Sequence, residues 1–210
     1  MYRDTAKNFW RARTKYPNYP NLLKRRLLDL NFLIDYVIDA ESILDLGCGD
    51  GYLLLALREF SSIKRFYGYD LSGTMICKLR DRWGDVHGGL NAAVFDFVEN
   101  NNYPDTDVII SFGSFPYVFD VKELKNIVSN INSDIFVVRS PCTMRREDEI
   151  IDKFSDDLGD NYSAVYRTVD FYVFMLSEYF VVDNVCRAYP DELESKYGTK
   201  QFFFVCKRRN

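Results

Sequence analysis

The chain has a single histidine, His87. Zinc or iron centres built on imidazole are excluded by that count, and no carboxylate cluster takes their place. The five cysteines, Cys48, Cys77, Cys142, Cys186 and Cys206, are scattered, odd in number and form no CxxC pair. A disulfide framework and a thiolate metal site are excluded alike. No apolar run approaches the roughly 18 residues that span a bilayer. The polar start, Met1-Tyr2-Arg3-Asp4, lacks the apolar region of a signal peptide, so the expectation is a cytoplasmic chain with no membrane partner. Positive charge is not in excess either. Lys and Arg number 27 against 31 Asp and Glu, for a net charge of -4. That balance offers no general attraction to a phosphate backbone, and neither a basic stripe nor an RNA-binding module is present, so a nucleic acid is not the expected partner. No linker rich in Pro, Gly or Ser divides the 210 residues. A single domain over 1–210 is expected.

Aromatic residues are plentiful, at 16%. They fill cores and also line pockets for planar or cationic ligands. Residues 1–20 are charged and aromatic and end in Tyr16-Pro17-Asn18-Tyr19-Pro20, a stop and a bend. Asn21 is placed to cap a helix over 22–38, with Leu23, Leu27, Leu30, Ile34 and Val37 at helical spacing. The period then changes. Strands are expected over 42–46, 65–69, 92–95, 107–112 and 134–138, with helices between most of them. Ser72 is placed to cap the helix carrying Met75, Ile76 and Leu79, and Asp120 with Glu123 has the form of a capping box. Residues 144–160 are polar and charged, and Arg145 with Arg146 reads as part of a solvated charged helix. A helix follows over 170–180, capped by Thr168, with Phe171, Phe174 and Met175 on one side. Runs over 180–187 and 201–206 are too close in sequence for a helical crossover and are expected to pair antiparallel.

Strands alternating with helices imply an α/β, doubly wound sheet of seven strands, mostly parallel with an antiparallel last strand, preceded by N-terminal helices. Such sheets bind ligands at the carboxyl ends of their strands. The chemistry-bearing residues are expected there. Asp45-Leu46-Gly47-Cys48-Gly49-Asp50-Gly51 closes the first strand and opens a helix, and its glycines allow a sharp turn and close approach of a ligand. Asp70 closes the second strand, about twenty residues on, where a carboxylate can accept both hydroxyls of a ribose. Asp96, between Phe95 and Phe97, is placed to bond an adenine amino group while a ring packs on the base. Glycine-rich turns of this kind also serve NAD(P) enzymes, whose usual pattern is GxGxxG; here the third glycine comes one residue early.

At these residues the chain resembles the class I S-adenosylmethionine (SAM)-dependent methyltransferases. DLGCGDG at 45–51 is similar to the family's motif I, YGYDLS at 67–72 to motif II, VFDF at 94–97 to the adenine-contacting position and DVIISFGSF at 107–115 to motif IV. The resemblance implies a helical N-terminal cap over 1–40, a SAM-binding core over 41–140, and substrate-side helices with the last two strands over 141–210. Asp45 would help hold the methionine amino end, while Gly47, Cys48, Gly49 and Gly51 would line the cofactor. Asp70 would bind the ribose, with Leu71, Met75, Asp96 and Phe97 around the adenine. Ser111 and Phe112 would lie near the sulfonium. Trp10, Tyr16 and Tyr19 are candidates for a lid. Tyr117, Arg139 and Tyr19 are the candidates for the reacting side, Arg139 because it ends a strand and can grip an anion. His87 falls in a loop leading into the third strand from the far end of the sheet and is expected at the surface.

The implied function is methyl transfer from SAM, with S-adenosylhomocysteine (SAH) as product, to oxygen or nitrogen of a small molecule such as a sugar, natural-product or polysaccharide intermediate. A protein or RNA methyltransferase, or a non-catalytic partner subunit of this fold, is the alternative. Motif IV reads Ser111-Phe112-Gly113-Ser114 and lacks the Asn/Asp-Pro-Pro-aromatic tetrad of many enzymes that methylate base amines.

Overall fold

A computed structural model describes residues 2–14, 21–84, 89–155, 160–194 and 198–209. Tyr16, Tyr19 and His87 lie outside the described residues. In chain order the elements are α1 (Tyr2–Arg11), α2 (Leu22–Val37), β1 (Ser42–Leu46), α3 (Tyr52–Phe60), β2 (Arg65–Asp70), α4 (Gly73–Trp83), β3 (Leu90–Val94) and β4 (Val108–Phe112). There follow a 3₁₀ turn (Phe115–Tyr117), α5 (Val121–Ser129), β5 (Ile135–Thr143), β6 (Glu149–Ser155), β7 (Asp160–Tyr166), α6 (Val169–Leu176), β8 (Phe180–Arg187) and β9 (Thr199–Arg208).

Seven strands form one sheet in the order β3-β2-β1-β4-β5-β9-β8. The first five run parallel, and β9 pairs antiparallel with both β5 and β8. The order reverses at β1 and β4, so the carboxyl ends of those strands open a crevice, the usual ligand position of a doubly wound sheet. Alternation along each strand splits the core. Ile43, Ile110 and Val137 pack under α2, α3 and α4 with Leu33, Leu54 and Leu79. Leu44, Ile109 and Phe136 pack against α5 and α6 with Leu124 and Met175. Caps set the starts of two helices as expected. Ser72 Oγ accepts the N–H of Met75 at 3.3 Å, and Thr168 Oγ1 accepts that of Phe171 at 3.0 Å.

Several expectations are corrected. Asn21 sits in the left-handed region (φ 61°) and caps nothing with its side chain. Leu23 and Leu27 are exposed; Leu30 and Val37 are buried as expected, and Asp29 and Leu33 complete the inner face of α2. Asp120 bonds the N–H of Lys122, but Glu123 reaches away to Arg3, so the capping box is half made. The charged stretch from 144 is a turn followed by the β6–β7 hairpin, not a helix. On α6, Phe174 faces solvent while Tyr172 and Met175 are buried. Arg139 does not end a strand. β5 runs on to Thr143 because β9 continues the ladder after β4 has stopped opposite Arg139.

Candidate functional site

At the end of β1 the chain reverses within three residues. The N–H groups of Gly47 and Cys48 both donate to the carbonyl of Tyr69, at 2.7 and 3.1 Å. Gly47 has φ 85°, and a Cβ there would stand 1.9 Å from Ser114 Oγ. Gly51 has φ 72°, and its Cβ would meet Leu79 Cδ1 at 2.1 Å. Only glycine satisfies both the backbone and the space at these positions. Ser111 and Ser114 each donate to the Leu46 carbonyl at 3.2 Å, tying the end of β4 to the turn. Asp50 pairs with Arg26 of α2 and Arg82 of α4 and fastens the turn from outside.

Asp70 is the hinge of the arrangement. Oδ2 accepts the Gly49 N–H and Oδ1 the Ser72 N–H, both at 2.8 Å. Burial raises its pKa, and those two amides work against the rise. Asp45, one strand away and 4% exposed, has no such amides. Burial, then the charge of Asp70, pushes its carboxyl up to about 8, against the pull of Arg139. Asp96 accepts the Val98 N–H at 3.1 Å with Oδ1, while Oδ2 lies 2.5 Å from Lys7 Nζ.

Lys7 belongs to α1, which lies across the crevice. Arg3 pairs with Glu123 at 2.6 Å, and the Trp10 ring meets Tyr117 with centroids 4.8 Å apart. The carbonyl of Arg13 accepts from Ser72 Oγ at 2.7 Å. On its far side α1 rests on the hairpin, where Phe9, Tyr162 and Ala164 form a small core with Ile151 and Tyr166.

One cavity lies between α1 and the strand ends. Of the expected residues, Gly47, Gly49, Asp70, Leu71, Met75, Asp96, Phe97, Phe112, Tyr117 and Trp10 line it. Asp45, Cys48, Gly51 and Ser111 do not. Cys48 packs into the core against Gly68, and burial raises its thiol pKa well above the usual value. Arg139 does not line the cavity. Its Nε lies 3.1 Å from Asp29, its Nη1 donates to Gln201 at 2.9 Å, and its guanidinium sits between Phe112 and Tyr189. Arg3, Lys7, Arg13, Gly113, Ser114 and Glu123 line the cavity without having been expected. The spacing of Arg3, Lys7 and Trp10, one face of a helix, was the available signal for the first two.

Residues 43–133 match a family model described as "Methyltransferase domain". No curated protein matches the chain. Among solved structures it is similar to geranyl diphosphate C-methyltransferase from Streptomyces coelicolor, at 13% identity over 99% of this chain and 98% of that one, with a TM-score of 0.69. It is similar also to a SAM-dependent methyltransferase from Mesorhizobium loti, at 19% identity over 88% and 98%, TM-score 0.66. A third, from Clostridium acetobutylicum, gives 15% over 90% and 96%, TM-score 0.65. The chain has the fold of these methyltransferases, and its residues 43–133 are the part that matches the family model.

Proposed function

We propose that the chain is a SAM-dependent methyltransferase that moves a methyl group to oxygen or nitrogen of a small molecule, of the sugar, natural-product or polysaccharide-intermediate kind. The observation that carries this is Asp70, whose two oxygens fix the glycine turn and the start of α4 while its carboxylate opens on the cavity. A carboxylate oxygen has a second lone pair, so both remain able to accept ribose hydroxyls. The rest of the wall fits a nucleoside with an amino-acid tail. Leu71, Met75 and Phe97 offer apolar contact for a base, and Asp96 an acceptor for its amino group. Asp45 is a buried carboxylate behind the turn, outside the cavity wall, that would act on the ligand's ammonium through its field or a bridging water.

Bound SAM supplies an activated methyl group. The protein supplies alignment and exclusion of water. Phe112 and Tyr117 shape the wall beyond β4, and α1 covers the opening, which suits a small acceptor rather than a macromolecule. Arg139 has the role of a counter-charge to Asp29 that holds α2 against β5. The test is calorimetric titration with SAM, SAH and NADH. Binding of the two adenosyl-sulfur ligands alone is expected; binding of NADH alone, or of none, overturns the reading.

A further inference from the structure

Among the described residues, two cavity-lining side chains each leave a polar atom with neither a hydrogen bond nor an ion pair. Trp10 Nε1 and Glu123 Oε2 are buried without a hydrogen-bond partner, and both residues line the cavity. Buried donors and acceptors are nearly always satisfied in native proteins, because leaving one bare costs its full desolvation. The protein's own contacts do not meet the need. The Trp10 ring packs on the rings of Phe9 and Tyr117, and Glu123 engages Arg3 through its other oxygen, Oε1. One unused donor and one unused acceptor thus belong to residues of a single cavity wall.

Charge in that space is balanced. Arg3, Lys7 and Arg13 line it against Asp70, Asp96 and Glu123. A cationic group at Glu123 Oε2 would also face Arg3, and an anionic one would face the Glu123 carboxylate itself. A neutral hydroxyl can donate there without either penalty.

We propose that Trp10 and Glu123 recognise the methyl acceptor, and that this acceptor is a neutral, apolar-bodied molecule with at least two oxygens. One belongs to a hydroxyl that donates to Glu123 Oε2; the other accepts from Trp10 Nε1. The proposal rests on the reading of the cavity as a methyltransferase site.

The test titrates three probes that differ only at one end, 4-hydroxybenzyl alcohol, 4-hydroxybenzylamine and 4-hydroxybenzoate, into the full chain saturated with SAH. The neutral diol is expected to bind at least tenfold more tightly than either charged probe. Trp10→Phe, which keeps the ring and removes the N–H, and Glu123→Gln are each expected to weaken the diol at least fivefold while SAH affinity moves less than twofold. Preference for a charged probe, no binding of the diol, or unchanged diol affinity in both variants overturns the proposal. So does a loss of SAH affinity in step with that of the diol, which would assign the two residues to the cofactor. Should the wild-type chain bind no SAH, the methyltransferase reading fails, and the same probe comparison without SAH still decides for or against the pair. Trp10→Phe keeps the test intact if loss of the Arg3 partner unfolds Glu123→Gln.

Discussion

Asp70 stands close enough to Asp45 for its charge to add to burial and push the Asp45 carboxyl up to about 8. The native chain therefore holds a proton at Asp45 between roughly pH 4, where an unfolded aspartate titrates, and pH 8. In that window the native state binds more protons than the unfolded one, so this group makes stability fall as pH rises. An ammonium bound in the cavity in front of the turn acts on Asp45 through its field or a bridging water and reverses the shift. SAH binding at pH 6.5 is expected to release close to one proton, read from calorimetry in buffers of different ionisation enthalpy. Asp45→Asn should abolish the release, and a wild-type release of zero would remove Asp45 from the ligand's amino end.

Gly47→Ala places a methyl group on Ser114 Oγ and a side chain on a backbone with φ 85°. The expected cost is about 2–3 kcal/mol of stability, with a loss of SAH affinity of tenfold or more. Adding Ser114→Gly should recover part of the loss, since it clears the space but leaves the backbone strain. Denaturant unfolding and SAH titration of the single and double variants check this.

Asp70→Ala removes the acceptor of two backbone N–H groups as well as the proposed ribose ligand. SAM affinity should fall by about 1–3 kcal/mol, the usual cost of losing hydrogen bonds to a charged group. Unchanged affinity in a folded variant would show that Asp70 serves the turn alone.

Asp29 and Arg139 form a buried pair, with Tyr189 donating to Asp29 at 2.8 Å. Removing one charge of such a pair strands the other, so Asp29→Ala should cost about 3–5 kcal/mol in denaturant unfolding. The double variant Asp29→Ala, Arg139→Met should lose less than the sum of the single ones. Additive losses would mean that the two do not act as a pair.

The strand–turn–helix and its partner Asp70 were legible because their signals are local. A short apolar run, glycines at fixed offsets and one carboxylate at the next strand end need no knowledge of the rest of the chain. The caps at Ser72 and Thr168 are local for the same reason. What escaped depends on distant segments. The length of β5 is set by β9, more than fifty residues later, which is why Arg139 looked like a strand end. Burial of Asp29 depends on Arg139, so an apolar pattern drew the inner face of α2 through Leu23 and Leu27 instead. The hairpin hid because β6 turns Ile150, Asp152 and Phe154 to solvent, and its inner face meets α1, the neighbouring turn and β5 rather than a helix layer of the main core. The contact of Lys7 with Asp96 joins segments that no periodicity relates.

The β6–β7 hairpin shares no ladder with the main sheet, and α1 rests on it through a core of its own. The floor of the cavity comes from the matched stretch 43–133, whereas α1 and its buttress come from either side of that stretch. Roof and floor thus come from different stretches of the chain, joined at Lys7 with Asp96 and at Arg3 with Glu123. On the proposed reading a change at Trp10 alters the acceptor end alone, whereas a change at Lys7 reaches the nucleoside end as well.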